Sequence, residues 1–470
     1  NPNDYESIKD LGNTYKAVGD VSTAKKYYQK AISIKPSYSQ ALVNLGTIEI
    51  NTGNQQTAIS LLIKATESDP QLPSAWGSLA NAYLQIGKLQ EAEQSITKSI
   101  ELNPNIFNAH FLLSTILIAQ KKLQEAEQPL RRTIELKPNF FQAHLNLATI
   151  LKNLGKLQEA EISIKKSIEF NPNIFNFHFI LSTILIAQKK LQEAEQPLRR
   201  TIELNPDYAQ AHNNLGSIFI DLGNLKEAEL SIRKAIELKP DYAQAHYNLG
   251  SILRNLGNLK DAGLSLLKTI NLKPDFAEAH NMLGRVFIDI DNVKEAEPIL
   301  CRAIELKPNY ADSYYNLGVV FNSLGKTEAA EKNLKKCLSI DYDHLKAKLT
   351  LSAIDLHKGD HTLYNDLKDS EHKNHPFIKT LDWVLDLPDL PALFFQRWNF
   401  FDEIINKSVK DRPFYEFGVW QGASFKYLIK TFKIGYGFDT FEGLPENWNN
   451  FKKGAFSSNG IIPEIDGGKF

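Results

Sequence analysis

The sequence predicts a mostly α-helical solenoid of stacked two-helix hairpins, followed by a shorter segment of different character. Three observations carry this prediction. Ten prolines (Pro2, Pro36, Pro70, Pro104, Pro138, Pro172, Pro206, Pro240, Pro274 and Pro308) stand 34 residues apart without a miss. Ten alanines from Ala24 to Ala330 keep the same interval. Between these marks apolar residues recur at helical spacing, as in Ala211, Leu215, Ile218 and Leu222 and again in Leu225, Ala228, Ile232 and Ala235. A fixed period of this size marks a repeat architecture. A hairpin of 34 residues buries no core by itself, so neighbouring hairpins must stack.

Within each unit the order reads helix, glycine turn, helix, proline turn. Gly19, Gly53, Gly87, Gly155, Gly223, Gly257, Gly325 and Gly359 share one phase, suited to a helix C-terminal cap that needs positive φ. Gly12, Gly46, Gly216, Gly250, Gly284 and Gly318 share another, with Ala80, Ser114, Ala148, Ser182 and Ser352 in the gaps; only small residues there predict a close approach of two backbones. Pro129, Pro197 and Pro298 fall inside second helices, where a missing N–H predicts local kinks. Repeats 105–138 and 173–206 differ only at Ala109/Phe177, Leu112/Ile180 and Lys137/Asn205, the trace of a duplicated two-repeat unit.

Bulk composition excludes several classes of function. Lys and Arg total 54 against 55 Asp and Glu in 470 residues, a net charge of −1, so no broad basic surface is available for nucleic acid or an acidic membrane. No apolar run is long enough for a transmembrane helix. Cys301 and Cys337 are the only cysteines and sit at apolar helix positions, which excludes a disulfide framework and makes a reducing, cytoplasmic location the expectation. His110, His144, His178, His212, His246 and His280 also lie 34 apart. Successive repeats stack about 10 Å apart, too far to share a metal, so these are expected to be packing or capping residues and no metal site is expected in the array. The chain opens on Asn1-Pro2, the pair that closes later repeats, and this leads us to expect a longer array upstream.

The repeat "AHYNLGSILRNLGNLKDAGLSLLKTINLKP" resembles the tetratricopeptide repeat, most closely that of O-linked N-acetylglucosamine transferases. The resemblance covers about Asn3 to Tyr342, ten repeats, and implies a right-handed superhelix. His344–His357 reads as a lone closing helix, so the array is placed at 1–358. In the resembled transferases one phase of asparagines lines a concave groove and grips the backbone of an extended peptide. Asn44, Asn146, Asn214, Asn248 and Asn316 occupy that phase here, interrupted by Ser78, Leu112, Ile180 and Met282. A side-chain amide both donates and accepts, so it holds main chain without reading sequence. Gln210, Asn213, Gln244, Tyr247, Arg254, Asn281 and Arg285 are expected beside it. The implied partner is an extended peptide or protein.

Residues 359–411 read as a polar linker leading into an aromatic-rich helix near 392–407. Residues 412–470 read as the start of a doubly wound α/β domain: a strand at Phe414–Val419, a helix at Ser424–Phe432 and a strand at Ile434–Phe438. Gly418 and Gly422 bracket the first turn, and Asp439 follows Gly418 by 21 residues, the spacing of an acid that accepts from ribose hydroxyls. Trp420 stands where a dinucleotide fingerprint has its middle glycine, which argues against NAD. The strings "EFGVWQGAS", "GFDTFEGLPENW" and "KGAF" resemble S-adenosylmethionine-dependent methyltransferases of the macrocin O-methyltransferase family. That resemblance implies S-adenosylmethionine as cofactor, held by Glu416, Gly418 and Gly422 with Asp439 on the ribose. It also implies that the 441–445 loop borders the active site. The family's divalent-metal carboxylates and catalytic base are expected beyond Phe470, so the chain is expected to be a piece of a larger enzyme that lacks most of the catalytic domain, and its catalytic residues stay unassigned. The alternative is an interaction scaffold with a vestigial terminal domain.

Overall fold

The computed structural model describes residues 4–386, 405–408, 414–417, 430–432, 434–438 and 468–469. It divides into two compact units, Asn1–Pro240 and Asp241–Phe470. The first holds seven hairpins: α1 and α2 (Tyr5–Ala17, Val21–Ile34), α3 and α4 (Ser39–Asn51, Gln55–Ser68), α5 and α6 (Pro73–Gln85, Leu89–Leu102), α7 and α8 (Phe107–Ala119, Leu123–Leu136), α9 and α10 (Phe141–Asn153, Leu157–Phe170), α11 and α12 (Phe175–Ala187, Leu191–Leu204), and α13 and α14 (Ala209–Asp221, Leu225–Leu238). The second holds α15 and α16 (Ala243–Asn255, Leu259–Leu272), α17 and α18 (Ala277–Asp289, Val293–Leu306), and α19 and α20 (Ala311–Ser323, Thr327–Ile340). After these come α21 (Leu345–His357), α22 (Thr362–Lys368), a 3₁₀ turn at Glu371–Asn374 and α23 (Pro376–Leu385).

Ladders of side chains build each hairpin. The ten alanines of the Ala24 phase are all fully buried. Four residues further on, Tyr28, Leu62, Ile96, Leu130, Ile164, Leu198, Ile232, Leu266, Leu300 and Leu334 are buried to the last per cent or so. These large side chains press on the small-residue phase of the first helix. A Cβ built on Gly284 would lie 2.6 Å from Leu300, and one on Gly216 would lie 2.6 Å from Ile232, so the close approach expected from sequence is present. A third buried ladder takes only Ala, Ser, Thr and, at its end, Cys337. Its hydroxyls reach between helices: Ser99 Oγ donates to the Pro73 carbonyl at 2.9 Å and Ser167 Oγ to the Phe141 carbonyl at 3.0 Å.

The turns also follow the sequence. All eight glycines of the Gly19 phase have φ between 72° and 86°. At α13 the Gly223 N–H bonds the Ile220 carbonyl and the Asn224 N–H bonds the Phe219 carbonyl, the paired arrangement that closes a helix through a left-handed residue. Histidine at the fixed phase caps the other turn. His110, His144, His178, His212 and His280 each place Nε2 2.8–3.0 Å from the carbonyl of the proline six residues earlier. Trp76 does the same to Pro70 with its indole N–H. The proline-bearing helices α8, α12 and α18 run unbroken for 14 residues, like their proline-free counterparts. Pro197 is itself buried in the stack.

Beyond α21 the structure differs from the sequence reading. Helix α21 is not a lone closing helix, and 359–386 is not simply linker. Leu351 and Ile354 face Leu334 and Cys337 of α20. Leu349, Ala353 and Leu356 face the other way and are covered by Tyr364, Leu367, Ile378 and Leu381. A helix apolar on two sides requires a second cover, which α22 and α23 supply. The aromatic helix expected at 392–407 lies outside the described residues except for a helical piece at 405–407. Three short strands follow: β1 (Phe414–Phe417), β2 (Gly435–Phe438) and β3 (Gly468–Lys469), parallel and in the order β1-β2-β3.

Candidate functional site

Several first helices of successive hairpins touch, namely α3 with α5, α5 with α7 and α9 with α11 in the first unit and α15 with α17 and α17 with α19 in the second. Residues one helical turn apart on these helices therefore form a continuous face, on which the phase of Asn44 lies. Asn44 is half-buried and its Nδ2 donates to Asn13 Oδ1 at 2.9 Å. Asn214 is half-buried and accepts from Asn213 at 3.4 Å. Asn146 is half-buried and its side-chain amide has no hydrogen bond among the described residues, and its counterparts on α7 and α11 are the half-buried Leu112 and Ile180. Asn248 and Asn316 lie deeper, at 7 and 6% exposure. Gln244 Nε2 donates to Asn248 Oδ1 at 3.1 Å, and Asn316 Nδ2 donates to Asn281 Oδ1 at 2.9 Å.

Of the expected neighbours, Asn213 and Asn281 are buried, whereas Gln210, Tyr247, Arg254 and Arg285 are half-buried and Gln244 is exposed. Asn281 is a hub. It accepts from Ser313 and Asn316 and donates to the Tyr310 hydroxyl at 3.3 Å. Burial pushes the Tyr310 phenol up to about 12. On the same helix Asp289 holds Arg254 of α15 at 2.7 Å. Among the described residues Arg285, which lies between them in sequence, has no side-chain hydrogen bond or ion pair, and burial together with the nearby Arg254 cation holds its guanidinium below the usual arginine range.

A Cys–His–Asp grouping that sequence reasoning missed stands at the start of α21. His344 Nε2 lies 3.4 Å from Asp312 Oδ1, and the buried Cys337 thiol acts on the ring. Asp312 pushes the imidazole pKa up, while the Ala347 N–H, which donates to His344 Nδ1 at 3.1 Å, requires that nitrogen unprotonated and opposes the shift. Cys337 is fully buried, His344 serves as the helix cap, and no substrate can reach the sulfur. The group is structural.

Sequence reasoning also missed an ion-pair ladder, although its signal was present. Glu93, Glu127, Glu161 and Glu297 are each followed 29 residues later by a lysine, and the pairs close at 3.0, 2.8, 3.0 and 3.5 Å between successive repeats.

Of the residues expected to hold S-adenosylmethionine, Glu416 lies on β1 in register with Gly437. Gly418, Gly422 and Asp439 lie outside the described residues, as does the 441–445 loop. Gly418 and Asp439 immediately follow Phe417 and Phe438, the last paired residues of β1 and β2.

Family models cover most of the helical region. The model of the C-terminal domain of cilia and flagella-associated protein 70 matches residues 4–215. A tetratricopeptide-repeat model matches 216–257, and another matches 243–276, 277–310 and 311–344. No curated protein matches the chain. Among solved structures, YrrB, a tetratricopeptide-repeat protein described as having an unusual peptide-binding site, is 25% identical over 42% of this chain and 97% of its own, with a TM-score of 0.34. Yeast Tom70 is 16% identical over 86% of this chain and 99% of its own (TM-score 0.40). The Cut9–Hcn1 hetero-tetramer of the APC/C is 13% identical over 80% and 95% (TM-score 0.46). The assignment rests on the repeat matches and the hairpin ladders: this chain carries a tetratricopeptide-repeat array across residues 4–344.

Proposed function

We propose that the array is a protein-interaction scaffold that holds an extended peptide on its first-helix face. The observation that carries this reading is Asn146, a half-buried amide with no side-chain partner among the described residues, whose counterparts in the repeats before and after are the apolar Leu112 and Ile180. An unbonded amide flanked by apolar positions suits a peptide backbone whose side chains alternate onto apolar ground. The test uses a pool of randomised extended peptides selected on the full chain. Replacing the three half-buried amides, Asn44, Asn146 and Asn214, by alanine is expected to weaken capture of the selected peptides severalfold. Unchanged capture by the triple variant overturns the reading. Asn248 and Asn316 are left intact because alanine there would disturb buried hydrogen bonds and confuse folding with binding.

A second reading concerns the terminal segment. We propose that it belongs to a methyltransferase module that takes S-adenosylmethionine and transfers its sulfonium methyl to a hydroxyl acceptor. The sequence resemblance supports it, and so does the parallel pairing of 414–417 with 435–438, which brings the chain just before Gly418 beside the chain just before Asp439. Glu416, Gly418, Gly422 and Asp439 would then bind the cofactor, whose methyl is already activated, so the protein's part is to position the reactants. Calorimetry of the full chain with S-adenosylmethionine is expected to give binding that Asp439→Ala removes. Absence of binding leaves the interaction scaffold as the better account.

A further inference from the structure

We draw no further inference here: the strongest candidate, the apolar outer side of α1, where Leu11 and Val18 stand exposed although Leu45 and Leu79 at the phase of Leu11 are buried against the hairpin before them, carries nothing because nothing in the structure shows what covers it.

Discussion

Lys121, Lys189 and Asp291 have φ of 63°, 62° and 64°, the left-handed conformation that glycine takes at the other eight positions of their phase. They make the same closing bonds, as Lys121 N–H to Ile118 and Lys122 N–H to Leu117, so the turn imposes its geometry whatever residue fills it. A side chain with a Cβ is strained there by about 1–2 kcal/mol, and glycine's greater freedom when unfolded offsets part of that gain. Lys121→Gly and Lys189→Gly are therefore each expected to stabilise the array by about 0.5–1 kcal/mol. Asp291→Gly should gain less, since Asp tolerates this region better. Chemical denaturation of the three variants checks the order; equal or negative effects at both lysines would show that the strain is absent. The absent glycines were visible in the sequence as gaps in a phase, yet only the backbone shows that the gaps keep the conformation.

The joint between one hairpin and the next is partly ionic. Glu161 sits at the centre of the best-formed example, with Lys165 at 2.6 Å on its own helix and Lys190 at 3.0 Å in the following repeat. The Lys165 hydrogen bond, joined by Lys190 and Gln188, holds its carboxyl down at about 2 against an ordinary value of 4.5. A carboxylate depressed in the folded state contributes stability that is complete above about 4.5 and is lost as the pH falls from there through about 2. Glu161→Gln should destabilise the array at neutral pH and make the loss on acidification shallower between those limits, read as melting temperature against pH. Parallel curves for variant and wild type would remove Glu161 from the account. The interval of 29 residues between each glutamate and its lysine was legible in the sequence. Without the stack, nothing said that the two would meet across a repeat joint rather than both face solvent.

An array of repeats has ends, and its stability depends on how they are covered. In the second unit α22 and α23 bury the outer side of α21, with Ile378 fully enclosed. Ile378→Asp places an unpaired charge in that cluster. It is expected to detach α22 and α23 and raise hydrogen exchange across 345–385 while leaving the hairpins α15–α18 protected, because each repeat depends mainly on its neighbours. Exchange that rises uniformly over the unit would argue for a single cooperative block, and no change would argue that the cap contributes nothing. Among the described residues no helix is long and apolar enough to cross a membrane.

The 34-residue beat, the left-handed turns, the close-packed small residues and the capping histidines were all readable from the sequence alone, because each is a local demand of backbone geometry repeated along the array. Tertiary structure decided what depends on which neighbour a side chain meets. Among the described residues it sank Asn248 and Asn316 into internal bonds and left the Asn146 side chain without one, and it turned an expected linker into a cap. Periodicity assigns a residue to a face of its own helix. Whether a polar group on that face finds an internal partner depends partly on its own helix, as Asn248 on Gln244, and partly on residues more than 25 positions away, as Asn44 on Asn13 and Asn316 on Asn281, brought beside it only when the hairpins stack.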